Sequence, residues 1–207
     1  MTPSRSRPGT RQYWVALRAM LVFTVVLGVA YPLAITAVGQ LALPAQANGS
    51  LVHDDAGTVI GSSLIGQSFT DADGAALPEW FQSRPSAAGA GYDGAASSGS
   101  NWGPENPDLI EAIEDRQAAI AELDGVAIDE IPADALTASA SGLDPHISPA
   151  YALLQVARVA AARDLPDADV RALVESVEQG RDLGFLGEET VNVLNLNREL
   201  AKLDSSE

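Results

Sequence analysis

Ala19 to Val38 reads AMLVFTVVLGVAYPLAITAV, twenty consecutive residues without a charge. Twenty helical residues rise about 30 Å, the thickness of a bilayer's hydrocarbon core, so the run predicts one transmembrane helix. Arg5, Arg7, Arg11 and Arg18 stand before it, and no acidic residue precedes Asp54. Positive flanks stay in the cytoplasm, which predicts an inside N-terminus and an outside remainder. Tyr13 and Trp14 sit where an interfacial aromatic pair belongs. The expected organisation is a cytoplasmic tail (1–18), a transmembrane helix (19–43) and an extracytoplasmic domain (44–207).

A second reading of the same region stays open. Ala45-Gln46-Ala47 is an A-x-A triplet of the kind signal peptidase cuts after. Secretory signals have an apolar region of roughly 7–15 residues, and this one is longer, holds Pro32 and begins directly behind Arg18. An uncleaved anchor is favoured over a signal peptide. Ala30, Ala34 and Ala37 fall at i, i+4 and i+7, a narrow strip that lets another helix approach closely; small residues are also simply common in such helices. Pro32 lacks an N–H and is expected to kink the helix. Asn48-Gly49-Ser50 matches a glycosylation acceptor, relevant only in a eukaryotic secretory pathway.

Charge bounds the partners. All 28 acidic residues lie beyond residue 44, against eight Lys and Arg, so that part carries −20 while the tail carries +4. Such a surface repels nucleic acid and anionic headgroups and offers no basic patch for ATP phosphates. The 164 residues from Pro44 suffice for one core. Cysteine is absent, which excludes disulfides and thiol chemistry; two histidines, His53 and His146, exclude a multi-histidine metal site.

Local patterns predict a mixed α+β domain of helices and short strands. Ser50–Val52 and Thr58–Ile65 are β-prone around a turn at Asp54-Asp55-Ala56-Gly57. Residues 83–104, rich in Gly, Ala and Ser, read as a long loop ordered by Tyr92 and Trp102. Asn106-Pro107 and Ser148-Pro149 are helix starts, followed by apolar stripes Leu109/Ile113/Ile120 and Leu153/Val156/Ala157/Ala160. A third helix is expected over Asp167–Gln179, ending at Gly180, on Val170, Leu173, Val174 and Val177. Val191–Leu203 fits a helix capped by Asn192 better than a strand.

Chemistry-bearing motifs are few. Thr137–Pro149, TASASGLDPHISP, places Asp144 and His146 just ahead of a helix start. A hydrolase would use His146 as base, Asp144 as its orienter and a nearby serine as nucleophile. No G-x-S-x-G elbow exists, and a capping loop explains the same residues. Asp71-Ala72-Asp73-Gly74 lacks the remaining ligands of a calcium loop and reads as a solvated turn. There is no G-x-x-x-x-G-K-[ST], and Lys202 is the only lysine, which argues against a self-contained ATPase. Trp80 and Phe81 beside Arg84 suit core packing, a cation–π contact or an interface anchor.

Six stretches in order carry a resemblance: Gly61–Phe69 (GSSLIGQSF), Phe81–Ala87, Ser100–Pro107 (SNWGPENP), Thr137–Pro149, Gln155–Arg163 and Val191–Asn197 (VNVLNLN). Together with the single span they resemble the C subunit of the bacterial Kdp potassium-transporting P-type ATPase, over nearly the whole chain. Ala140 stands where a glycine is expected, and Glu189-Thr190 where Pro-Arg is expected. The resemblance implies a plasma-membrane, single-pass accessory subunit. Its expected partners are a channel-like potassium-binding subunit, a P-type ATP-hydrolysing subunit and a small single-span subunit. It implies no catalytic residue and no cofactor of its own: ATP and K+ are handled by the complex. The family's subunit is described as an assembly factor and as a catalytic chaperone that raises ATP affinity. Ala30, Ala34, Ala37, Arg84, Ser100, Asn101, Asp144, His146 and Asn192 are the candidate structural or subunit-interface residues.

Overall fold

The computed structural model describes residues 9–54 and 56–203, so Arg5 and Arg7 of the basic flank and Asp55 of the expected turn lie outside the described residues. The chain divides into two compact units, Met1–Ser50 and Leu51–Glu207.

The first unit is one long helix, Thr10–Ala42, of 33 residues. It comprises α1 (Thr10–Val25), a π-helical turn (Val26–Ala30) and α2 (Tyr31–Ala42), and the short α3 (Pro44–Ala47) follows. Its rise is about 50 Å, longer than the uncharged run needs, because Arg11, Tyr13, Trp14 and Arg18 are helical too. None of its residues is buried, which suits a helix whose apolar surface faces lipid or other helices. The irregularity expected at Pro32 takes the form of the π turn: the N–H of Tyr31 reaches back five residues to the Val26 carbonyl. The wider turn lies just ahead of the proline ring, which has no N–H to give and crowds the carbonyl one turn earlier.

The second unit opens with an antiparallel hairpin of β1 (Leu51–His53) and β2 (Val59–Ser62), Val52 opposite Gly61. Asp54 shapes its turn: the carboxylate accepts the Thr58 N–H at 2.7 Å, and Gly57 takes a φ of 81°. No strand or helix follows until α4 (Pro107–Asp124), started by the Asn106 side chain and stopped by left-handed Gly125. A 3₁₀ turn (Ile128–Glu130) and α5 (Ala133–Leu136) follow. The strand β3 (His146–Ile147) runs into α6 (Pro149–Leu154), α7 (Val156–Ala162) and α8 (Asp167–Val177). β4 (Val191–Asn192) pairs antiparallel with β3 and feeds α9 (Val193–Leu203).

Three expectations are corrected in detail. The helix begun by Ser148-Pro149 is interrupted at Gln155, and its buried side carries Tyr151, Val156, Val159 and Ala160 while Ala157 is exposed. Two long polar residues, Gln155 and Arg158, are buried on that side, which rotates the packed face away from the purely apolar stripe. The helix after Asp167 stops at Val177, before Gly180, because Glu178 turns extended and Gln179 pairs with Thr190.

The core gathers Phe81, Ile147, Tyr151, Val156, Val159, Val170, Val174, Val191, Val193, Leu196 and Leu200, joining α6–α9 to one segment, residues 77–84, in which a turn at 77–80 leads into extended chain. That segment has no neighbouring strand. The Leu77 and Trp80 N–H groups find backbone carbonyls, those of Phe69 and Leu77, and the rest of the backbone is paired mainly by side chains. Asn197 accepts the Phe81 N–H at 3.0 Å and donates to the Phe81 carbonyl at 2.9 Å. Gln155 does the same for Gln82, at 2.6 and 3.2 Å. Arg158 donates to the Pro78 and Trp80 carbonyls, and Arg163 to that of Glu79. Arg158 also meets Asp124 at 2.6 Å, both side chains almost fully buried. Burial raises the Asp124 carboxyl above its usual range, against the opposing pull of the Arg158 hydrogen bond and charge. Among the described residues no buried side-chain polar atom lacks a partner.

Candidate interaction site

The loop 137–146 is the crossroads of the second unit. The Leu143 carbonyl accepts the Gly66 N–H, the Gly142 carbonyl accepts the Ser86 hydroxyl at 2.6 Å, and the Pro145 carbonyl accepts the Val193 N–H at the start of α9. Gly142 permits this: its φ is 66°, and a Cβ there would meet the Ser98 carbonyl oxygen and the Ala88 nitrogen inside 3 Å.

Asp144 gathers the polar groups. One carboxylate oxygen takes Arg84 Nη1 at 2.9 Å. The other accepts the His146 backbone N–H at 3.1 Å and lies 3.2 Å from His146 Nδ1. Arg84 Nη2 also donates to the Thr137 carbonyl at 3.2 Å, and the Arg84 carbonyl accepts the Tyr92 hydroxyl at 2.6 Å. The hydrogen bond from His146, then its backbone N–H and the Arg84 charge, hold the Asp144 carboxyl below the usual range against the opposing effect of burial. Burial pushes the Tyr92 phenol up to about 12, so it stays a neutral donor. Arg84, Asp144, His146 and Glu189 line a cleft of about 310 Å³.

Asn192 joins this cluster through the β3–β4 register, which sets it opposite His146. Its side chain is buried, donates to the Ser63 carbonyl at 3.0 Å and accepts the Asn195 N–H at 3.1 Å, capping α9. Ser100 and Asn101 do not join: both are exposed, Asn101 with a φ of 56° and its amide on the Gly99 carbonyl. Ala30, Ala34 and Ala37 belong to the first unit, and their side chains are exposed on its helix. Trp80 makes its cation–π contact with Arg163, 4.2 Å above the ring, while Arg84 is committed to Asp144.

The arrangement is that of a brace. The hydroxyls a hydrolase would need are engaged elsewhere. Ser148 donates to Asp134 at 2.9 Å and caps α6; Ser139 and Ser141 meet each other, and Ser141 accepts the Leu143 N–H. Asp71 accepts the N–H groups of Asp73 and Ala75, an exposed turn as expected. Among the described residues no group of three or more His, Asp or Glu could hold a metal. Sequence reasoning missed Asn197, Gln155 and the Asp124–Arg158 pair. Their signal was polar side chains among buried positions: Asp124 at the end of α4, Gln155 at the α6–α7 junction, Arg158 on α7 and Asn197 on α9.

Among the described residues one helix is long and apolar enough to cross a membrane, and with the braced α+β unit that follows it this fits the class of single-pass membrane proteins. The family model of the K+-transporting ATPase c chain, KdpC, matches residues 13–202. A potassium-transporting ATPase KdpC subunit of Caulobacter vibrioides is 58% identical over 186 residues, covering 89% of this chain and 90% of the relative. One from Kineococcus radiotolerans is 55% identical over 92% of this chain and 93% of its own length. One from Mycobacterium tuberculosis is 50% identical over 93% and 99%. The chain belongs to the KdpC family. The hydrolase alternative finds no support in these relatives.

Proposed function

We propose that this chain is a non-catalytic accessory subunit of a potassium-transporting ATPase, anchored by α1–α2 with its N-terminus in the cytoplasm and its α+β unit outside the cell. The observation that carries the reading is the family match across residues 13–202 of a chain with one membrane-length helix. Arg11 and Arg18 at the start of that helix, with no carboxylate before Asp54, support the orientation. The partners are a channel-like potassium-binding subunit, a P-type ATP-hydrolysing subunit and a small single-span subunit, which handle ATP and K+. The nearby serines support the non-catalytic role: the Ser148 hydroxyl is bound to Asp134 and those of Ser139 and Ser141 meet each other, so none is paired with His146 as a nucleophile would be. The −20 surface raises the local K+ concentration within the 8–10 Å screening length.

The absence of cysteine makes the test clean. Single-cysteine variants Ala56→Cys, in the exposed β1–β2 turn, and Thr10→Cys are treated with a membrane-impermeant thiol reagent on intact cells. Labelling of Ala56→Cys alone, with retention of the other subunits on purification, is expected. Labelling of Thr10→Cys alone would reverse the orientation, and recovery of a chain beginning at Asn48 would replace the anchor by a cleaved signal.

A further inference from the structure

Twelve consecutive residues, 178–189, are all exposed. They form a narrow projection between α8 and β4. Gln179 and Thr190 exchange two backbone hydrogen bonds at its base, 2.8 and 3.0 Å. At its end the Phe185 and Leu186 N–H groups both donate to the Asp182 carbonyl, at 3.2 and 2.9 Å. Leu183 takes a φ of 53° and Gly184 one of 80°, closing the turn. The tip carries Leu183, Phe185 and Leu186, exposed to 82%, 70% and 49%. Polar residues close such turns without exposing large apolar surface to water, so the tip's composition calls for a partner. The segment carries four carboxylates, Glu178, Asp182, Glu188 and Glu189, against Arg181 alone, with Glu188 and Glu189 also lining the Asp144 cleft at its base.

We infer that the Leu183–Phe185–Leu186 tip is a docking anchor that enters an apolar recess with a basic rim on a membrane-embedded partner subunit. The inference rests on the reading that this chain works as a subunit of a complex. Charge selects among the possible occupants. An anionic bilayer repels the acidic collar, and interfacial segments carry Lys and Arg on their polar side instead. A second copy would bring one −20 unit against another. A small ligand needs a concave site, and this tip is convex. A protein recess satisfies both features: an aromatic anchor filling a pocket and a charged rim that fixes its register.

The test uses the full chain co-expressed with its complex. A benzophenone amino acid at position 185 is photoactivated in intact membranes, and a covalent adduct with a membrane-embedded subunit is expected. The double variant L183S/F185S should lower the partner recovered with this chain by about tenfold or more. Both positions are solvent-exposed, so the thermal melt of the variant should stay near that of the parent. An adduct with lipid or with a second copy, or unchanged recovery of the double variant, would overturn the assignment while the subunit reading stands. A parent chain that retains no partner at all would overturn both.

Discussion

Asn197 shows how much one side chain can hold. Its amide serves both backbone groups of Phe81, 116 residues earlier, at a site with no exposure. Asn197→Ala removes the partners of a buried N–H and a buried carbonyl, so a loss of about 2–4 kcal/mol is expected in urea denaturation. Asn197→Asp keeps the acceptor and loses the donor, and should fall between. Equal midpoints for parent and Asn197→Ala would show that water replaces the amide. Asp144 makes a pH-dependent contribution. Its carboxyl titrates below the ordinary value in the folded chain, so its stabilisation is present above the unfolded pKa of about 3.9 and is lost as pH falls through the folded value. Asp144→Asn should therefore melt lower than the parent at pH 7, and the gap should close on acidification below about pH 4. A gap that persists undiminished at pH 2 would assign the effect to packing instead of charge.

Among the elements, those with local start signals were legible. Asn106-Pro107, Ser148-Pro149 and Asn192 each cap a helix with a side chain that accepts a backbone N–H, as their spacing requires. The β1–β2 hairpin was legible from its turn chemistry. The segment 77–84 was not, because most of its hydrogen-bond partners are side chains 73 to 116 residues away, and no local pattern encodes them. The braced trio of Arg84, Asp144 and His146 was half legible: Asp144 and His146 are two residues apart, whereas Arg84 arrives across 60 residues of chain. The π turn hides for another reason. Pro32 announces a disturbance, but the choice between a kink and an extra residue in the turn lies in the backbone geometry, which no residue pattern encodes. Ala30 ends that turn, and Ala34 and Ala37 follow it in α2. If they seat a partner helix, Ala34→Leu should reduce co-purification of the other subunits while leaving the melt of the α+β unit unchanged. Undiminished assembly would mean that the strip faces lipid.

At the scale of the molecule, the division at Ser50 separates an apolar helix from an acidic unit with its own core. That unit should fold as residues 48–207 alone, and it should neither hydrolyse ATP nor bind it tightly. It lacks a phosphate loop, has one lysine and opposes a polyanion with its charge. Isothermal titration with ATP checks this: a saturable site tighter than ~10 µM, roughly −7 kcal/mol, would require a direct nucleotide role. The stapled segment also sets an order of events in time. At roughly 5–20 residues per second, the ribosome makes Phe81 several seconds before Asn197, which lies 116 residues later. Until then the Phe81 N–H and carbonyl have only water for company. A chain halted short of Asn197 thus leaves the Phe81 N–H and carbonyl without the amide that serves both in the finished fold.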